Sequence, residues 1–187
     1  LDQQRADRLV REHLLDPERF WLPGGIPQCA QGASGEDSDN GPGCCVVSPV
    51  RIRQIGEGLL KHGFREEAAD LFKNLMGAVI NTLEEDQCFR SFYDARDLNG
   101  VGGRDSVQGL VPLDLFLSTL GVELISPYLF TVEGSNPFPW PVTIRWKGLT
   151  IRREGEVTDV TLPDGQELRL EGEGKRRVEL PRPENSR

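Results

Sequence analysis

The residue types that could do chemistry are concentrated between Cys88 and Gly109. Acidic side chains there could activate water or accept a hydroxyl group, and aromatic side chains could stack on a ring. Glycine at three of four neighbouring positions would let the backbone approach a ligand closely. We interpret the stretch as an extended aromatic segment followed by a flexible, charged loop, a setting that suits a small-molecule site and also ordinary loops. The residues concerned are Phe89, Phe92, Tyr93, Asp94, Asp97, Gly100, Gly102, Gly103 and Asp105.

Two apolar segments with helical spacing flank this stretch, from Ala68 to Leu83 and from Leu110 to Leu120. Another helix precedes the first of them. It begins at Ser48-Pro49, a cap hydroxyl followed by a first-turn proline, and ends at His62-Gly63. The short connection predicts that this helix and the Ala68 segment form an antiparallel αα-hairpin. Residues 2–15 form a further predicted helix.

Beyond Gly121 the apolar residues alternate with polar ones, which is the period of a strand. Turn-forming residues such as Pro163, Asp164 and Gly165 separate the runs. This pattern predicts an antiparallel sheet with one face in water. The predicted strands are 142–146, 149–153, 157–162, 167–170 and 176–180.

The charge distribution argues against nucleic-acid binding. The chain has 187 residues and a net charge of −8, with 12 basic and 21 acidic residues in positions 1–140 and 10 and 9 in positions 141–187. Neither part has the basic excess that nucleic acid requires. No apolar run reaches membrane-spanning length, and no signal peptide opens the chain. We therefore expect a small neutral or cationic ligand, with no cofactor and no membrane partner.

The cysteines do not follow the spacing of a metal site. The chain has four cysteines, no CxxC motif and two histidines, so a structural zinc site is not expected. We expect reduced thiols in a cytoplasmic protein. The polar stretch 28–45 is expected to be a long surface loop or locally disordered, and it is either a tolerated insertion or a lid. The chain starts at Leu1 without a methionine, so we expect it to be a piece of a longer protein.

Several segments in order along the chain match the pattern of a known enzyme class. The segments are LVREHLLDPERFW (9–21), IPQCA (26–30), SPV (48–50), EGLLKHGF (57–64), FYD with GVGGR (92–94 and 100–104) and NPFPWPVTIRWKGLTI (136–151). Together they resemble the C-terminal part of the (α/α)₆-barrel glycoside hydrolases of the trehalase, processing α-glucosidase and mannosylglycerate-hydrolase type.

This resemblance implies a mainly α fold with a β appendage. Its αα-hairpins would come from an (α/α)₆ toroid and would be followed by a small antiparallel β-sheet module. The implied domains are a partial six-hairpin glycosidase-like domain at 1–127 with a flexible loop at 28–45, the β module at 128–180, and a disordered tail at 181–187. The remainder of the parent barrel would then be a partner.

The resemblance also implies candidate site residues. Inverting glycosidases use two carboxyl groups roughly 6.5–9.5 Å apart. The family's general acid would lie upstream of this chain, and Ser91 stands at the position of the family's base. Asp94 is then the candidate catalytic carboxylate, and Tyr93, Phe92 and Arg104 are candidate substrate contacts. Each has a structural alternative: a loop cap for Asp94, an ion pair for Arg104, and core packing for the rings.

Three functions remain open at this point. The chain could be a fragment of a glycoside hydrolase that cleaves an α-glycosidic bond and is inactive alone. It could instead be a non-catalytic carbohydrate-binding or interaction module. It could also be a scaffold fragment without a ligand, which would expose an apolar helix face and associate.

Overall fold

The computed structural model describes residues 2–31 and 43–179. The chain forms two compact units, Leu1–Leu115 and Phe116–Arg187. Over the described residues these units contain four α-helices and ten strands, arranged in three antiparallel sheets. Residues 32–42 of the predicted loop at 28–45, and the predicted tail at 181–187, lie outside the described residues.

The first helix agrees with the helix predicted over residues 2–15. Helix α1 spans Gln3–Leu9 and continues into a π-helical turn, Val10–Leu14. Asp2 caps it, because its Oδ1 accepts a hydrogen bond from the backbone N–H of Arg5 at 2.9 Å.

The two helices predicted on either side of His62-Gly63 are both present. Helix α2 spans Pro49–Lys61 and helix α3 spans Arg65–Asp86. Gly63 connects them with a φ of +84°, which only glycine adopts readily. The helices pack against each other. Their fully buried side chains include Ile52, Leu71, Leu75 and Val79.

The central stretch of the first unit forms a sheet. Strands β1 (Val46–Val47), β2 (Arg90–Asp94) and β3 (Gly100–Arg104) pair in the order β1-β2-β3. The glycine segment predicted as a flexible loop is therefore an edge strand that packs on α3. The reason is tertiary: a Cβ at residue 100 would overlap the side chains of Thr82 and Arg90, so glycine allows the strand to approach the helix.

The third predicted helix is shorter than expected. A 3₁₀ turn, Val107–Gly109, precedes helix α4, which spans Leu113–Thr119 and not Leu110–Leu120. Pro112 explains the later start, since the residue before a proline is disfavoured in helical geometry.

The second unit contains two antiparallel sheets where one was predicted. Four strands form a meander in the order β6-β7-β8-β9. The last strand, β10, does not extend this meander but pairs with β5, which also pairs with β4. Strands β4 and β5 lie on either side of the domain boundary predicted at 127/128. The strands are β4 (Val122–Ser126), β5 (Leu129–Val132), β6 (Val142–Trp146), β7 (Leu149–Glu154), β8 (Val157–Thr161), β9 (Glu167–Glu171) and β10 (Arg176–Glu179).

The prediction of a mainly α fold built from an (α/α)₆ toroid is wrong. In the described part of the chain, α2 and α3 form the helical pair, and no ring of helical hairpins is present. Besides α2, helix α3 packs on strands β2 and β3. The fold is mixed α/β, since strands dominate everything after α3.

Gly109 gives a test of the packing between the 3₁₀ turn and β2. A Cβ at this residue would overlap the backbone carbonyl oxygen of Arg90. We expect Gly109→Ala to lower the free energy of unfolding by roughly 1–3 kcal/mol, because backbone must shift to make room. Urea denaturation measures the change.

The matched control is Gly77→Ala on the exposed side of α3, where an added Cβ meets nothing within 4 Å. It should raise stability by roughly 0.5–1 kcal/mol through helix propensity. Equal effects of the two substitutions would contradict this packing.

Candidate functional site

Tyr93 is part of the core of the first unit. Its side chain is 0% exposed. The hydroxyl donates a hydrogen bond of 2.7 Å to the carbonyl oxygen of Gly109, which ties β2 to the 3₁₀ turn. A ring in this position offers no surface to a ligand, so its contacts are those of a structural residue.

Phe92 and Tyr93 point to opposite faces of β2, because side chains alternate along a strand. Phe92 is partly buried and lies opposite Val101 of β3 in the strand register. The two predicted aromatic contacts therefore do not form one stacking surface.

Arg104 lies at the far end of the hairpin from Asp94. It is opposite Arg90, and Arg90 is separated from Asp94 by four residues of β2, or about 13 Å at the rise of a strand. Its guanidinium donates to the backbone oxygen of Asp86 at 3.0 Å, at the C-terminus of α3. A cation there interacts favourably with the helix dipole, so this contact stabilises the helix end.

A second arginine completes the connection between α3 and the hairpin. Arg90 bonds the Asp86 carboxylate through Nε at 2.8 Å and the carbonyl oxygen of Gly102 through a terminal nitrogen at 3.1 Å. The hydrogen bond from Arg90 lowers the pKa of Asp86 below its usual value. Asp86 in turn raises the pKa of Arg90. These charges hold the strands on the helix, away from Asp94.

Asp94 ends β2 and stabilises the turn that follows. Its Oδ1 accepts hydrogen bonds from the backbone N–H groups of Arg96 and Asp97, at 2.7 Å and 2.8 Å. This arrangement is an Asx turn, the structural alternative that the sequence offers for this residue. Both bonds use the same oxygen, so Oδ2 takes part in neither.

Asp94 is also one of the residues that line a cavity of about 340 Å³. Strand pairing builds it, because Val46 lies opposite Asp94 and the backbone N–H of Ala95 donates to the carbonyl of Cys45 at 2.9 Å. The lining includes one acidic and one basic residue, Asp94 and Arg96, and within the described residues Asp94 is the one acidic residue in it. Its lining residues are Gly43, Cys44, Cys45, Val46, Asp94, Arg96 and Val101.

One wall of this cavity is held by a disulfide between Cys29 and Cys44. The expectation of four reduced thiols is therefore corrected for this pair, whereas Cys45 and Cys88 keep their thiols. Backbone bonds from Cys29 to Cys44 and from Gln28 to Val46, at 3.3 Å and 3.0 Å, support the same wall. The cytoplasmic location stays a prediction.

The structure thus brings together one predicted site residue, Asp94, with residues that the sequence did not single out for a site. Arg96 and the Gly43–Val46 segment are the additions. No short motif marks Arg96, although it lies in the turn that follows Asp94. The Gly43–Val46 segment is some fifty positions away along the chain and is brought to Asp94 by β1-β2 pairing.

Among residues 2–31 and 43–179 there is no group of three or more His, Cys, Asp or Glu side chains arranged to hold a metal ion. In the same residues no helix combines the length and the apolar composition needed to span a bilayer.

Tyr93 generates a prediction about pH. Burial raises the pKa of Tyr93 above its usual value, so the unfolded chain releases this proton first, near pH 10. Stability contributed by the neutral phenol is full below that pH and is lost as pH rises further. Tyr93→Phe should cost about 1–3 kcal/mol at pH 7, because the Gly109 carbonyl loses its donor. The difference from wild type in thermal unfolding should be constant below about pH 10 and should narrow as pH rises above it.

The control for this experiment is Tyr128→Phe, which should keep the wild-type loss of stability at high pH. A constant difference between wild type and Tyr93→Phe over the whole range would show that the phenol does not titrate in this way.

The disulfide generates a second prediction. Replacing Cys29 and Cys44 together with serine should lower the free energy of unfolding by about 3 kcal/mol, the value for a cross-link over a loop of this size. Reductant should destabilise the wild type by a similar amount and leave the double variant unchanged. Cys45→Ser is the control and should retain the response to reductant. A wild-type urea curve that does not respond to reductant would argue against the cross-link.

Comparisons with known proteins give no relative for this chain: no protein-family profile, no curated protein and no solved structure matches it.

Proposed function

We propose that this chain is a non-catalytic carbohydrate-binding module that holds a small glycoside in the Asp94 cavity. The observation that carries the proposal concerns Asp94: both turn hydrogen bonds end on its Oδ1, Oδ2 takes part in neither, and the residue lines a partly polar cavity. The ligand class comes from the short sequence segments that resemble glycoside hydrolases and not from the fold, which differs from theirs. The polar residues that line the cavity support it.

The side chains of the cavity suit a polyhydroxylated ligand. A carboxylate oxygen accepts hydrogen bonds and the Arg96 guanidinium donates them. Sugar hydroxyls do both, so one ring can satisfy Asp94 and Arg96 together. The cavity volume, about 340 Å³, is at the low end of small-molecule pockets, which span about 300–1,000 Å³. A short glycoside fits this description better than a polymer or an apolar ligand.

The same lining supports binding without hydrolysis. Inverting hydrolysis needs a second carboxyl group as well as the first. The described lining has Asp94 alone, and Ser91, at the family's base position, donates its hydroxyl to the Gly103 carbonyl at 3.5 Å. A serine hydroxyl does not accept a proton from water as a carboxylate does. The hydrolase fragment is therefore the second candidate, favoured only by the place of Asp94 at the cavity.

Calorimetric titration of the Asp94→Asn variant tests the proposal. An asparagine oxygen can accept the two turn hydrogen bonds, so the backbone is preserved while the charge is removed. We expect the wild type to bind at least one of maltose, trehalose, glucosylglycerate and mannosylglycerate without releasing product. Asp94→Asn should weaken that binding about tenfold or more, since a hydrogen bond to a charged group is worth about 1.5–3 kcal/mol.

The matched control is Asp97→Asn, an equal change of charge at an exposed residue outside the cavity lining. It should bind as the wild type does. Equal binding by Asp94→Asn and the wild type would remove the cavity from the proposal. Product release that disappears in Asp94→Asn would favour the hydrolase fragment instead.

A further inference from the structure

The loop between β5 and β6 in the second unit holds an aromatic side chain in solvent. Trp140 is 51% exposed. Its ring stacks on that of Phe138, with centroids 5.9 Å apart and planes inclined by 27°. Phe138 is 5% exposed and contacts Phe116 at a centroid distance of 5.4 Å. The exposed indole therefore rests on a buried aromatic support.

A buried asparagine fixes the backbone of this loop. The Nδ2 of Asn136 donates to the carbonyl oxygens of Trp140 and Arg153, at 2.9 Å and 3.2 Å. Its Oδ1 accepts from the N–H of Phe138 at 3.0 Å, and its own N–H donates to Gly155 at 2.8 Å. Prolines at 137, 139 and 141 restrict φ between these bonds. The position of Trp140 is thus set before any ligand arrives.

The exposure of the Trp140 ring distinguishes it from Trp146, the other tryptophan of the same unit. Trp146 is partly buried, and the ammonium group of Lys147 lies 5.2 Å from the centroid of its ring. Its face is therefore occupied by a cation of its own chain. A single exposed apolar residue is ordinary on a protein surface. An exposed indole that is stacked from below and held by a buried side chain is a preorganised platform, which lowers the entropy cost of binding.

We propose that Trp140 is a second carbohydrate subsite, which takes the apolar C–H face of a pyranose ring by stacking. The face of an indole is flat and apolar and carries partial negative charge from its π electrons. The C–H groups on one face of a sugar ring carry partial positive charge and can pack against it. The ligand class rests on the proposed function, but the site is in a different unit from the Asp94 cavity and does not depend on that cavity.

Tryptophan fluorescence with maltohexaose as the probe tests this subsite. Stacking of a sugar on Trp140 should shift the emission of the wild type to shorter wavelength. Trp140→Ala should lose the shift and weaken binding roughly three- to tenfold. Trp140→Phe should retain part of the affinity, because a flat ring remains. The backbone bond from Asn136 uses the Trp140 carbonyl, so neither substitution removes it.

Two further variants separate this inference from the proposed function. Trp146→Phe should keep the shift, and Asp94→Asn should keep it as well. A shift that survives in Trp140→Ala, or that is absent from the wild type, overturns the second subsite. A shift that depends on Trp140, together with unchanged affinity in Asp94→Asn, supports the subsite and counts against the cavity alone.

Discussion

The hydrogen bond between the buried Tyr93 hydroxyl and the Gly109 carbonyl is the contact on which the first unit depends. A phenol with no access to water must find its partner inside the protein. That requirement fixes the register of β2, because a slip by one residue would bury the Asp94 carboxylate in place of the ring. The same register places Asp94 at the strand end, where the turn and the cavity meet. The burial of Tyr93 in the core thus determines where the next residue, Asp94, lies at the cavity.

Local patterns are sufficient for α1, α2 and α3 and for most strands of the second unit, whereas α4 is shorter than its pattern predicts. Ser48-Pro49 and Gly63 mark real helix ends, and alternating residues mark β6 to β9. They were insufficient for the architecture. An apolar helix face indicates burial but does not specify what covers it, and α3 is covered by a β-hairpin where a toroid would supply helices. The prediction of a loop at the glycines of β3 is wrong for the same reason. Residue 100 must be glycine because the side chains of Thr82 and Arg90, which are distant in sequence, leave no room for a Cβ there.

The candidate site was predictable only in part. Asp94 could be named because a carboxylate in a glycine-rich, aromatic stretch is conspicuous. Cys44 carries no such signal, since its relation to Asp94 depends on strand pairing and on a disulfide over distant positions. Arg96 lies two residues after Asp94 in the same turn, but no motif marks it. Tyr93 and Arg104 are candidate contacts through the resemblance, and their partners in the structure are backbone carbonyls at Gly109 and Asp86. Residue type alone does not distinguish a side chain that binds a ligand from one that binds its own backbone.

Both proposed sites share one physical feature, which is a side chain that bonds neighbouring backbone and so fixes the surface beside it. Asp94 does this through two N–H groups of its turn, and Asn136 does it through two carbonyls and one N–H. Such bonds order the backbone during folding, so a ligand does not have to do so on binding. Weak individual contacts, such as a hydroxyl to a carboxylate or a ring to an indole, then suffice for a useful affinity. Inverting hydrolysis requires an additional group, because a second carboxyl must lie roughly 6.5–9.5 Å from the first. A rigid binding surface is therefore the function that needs the fewest groups beyond those the structure describes.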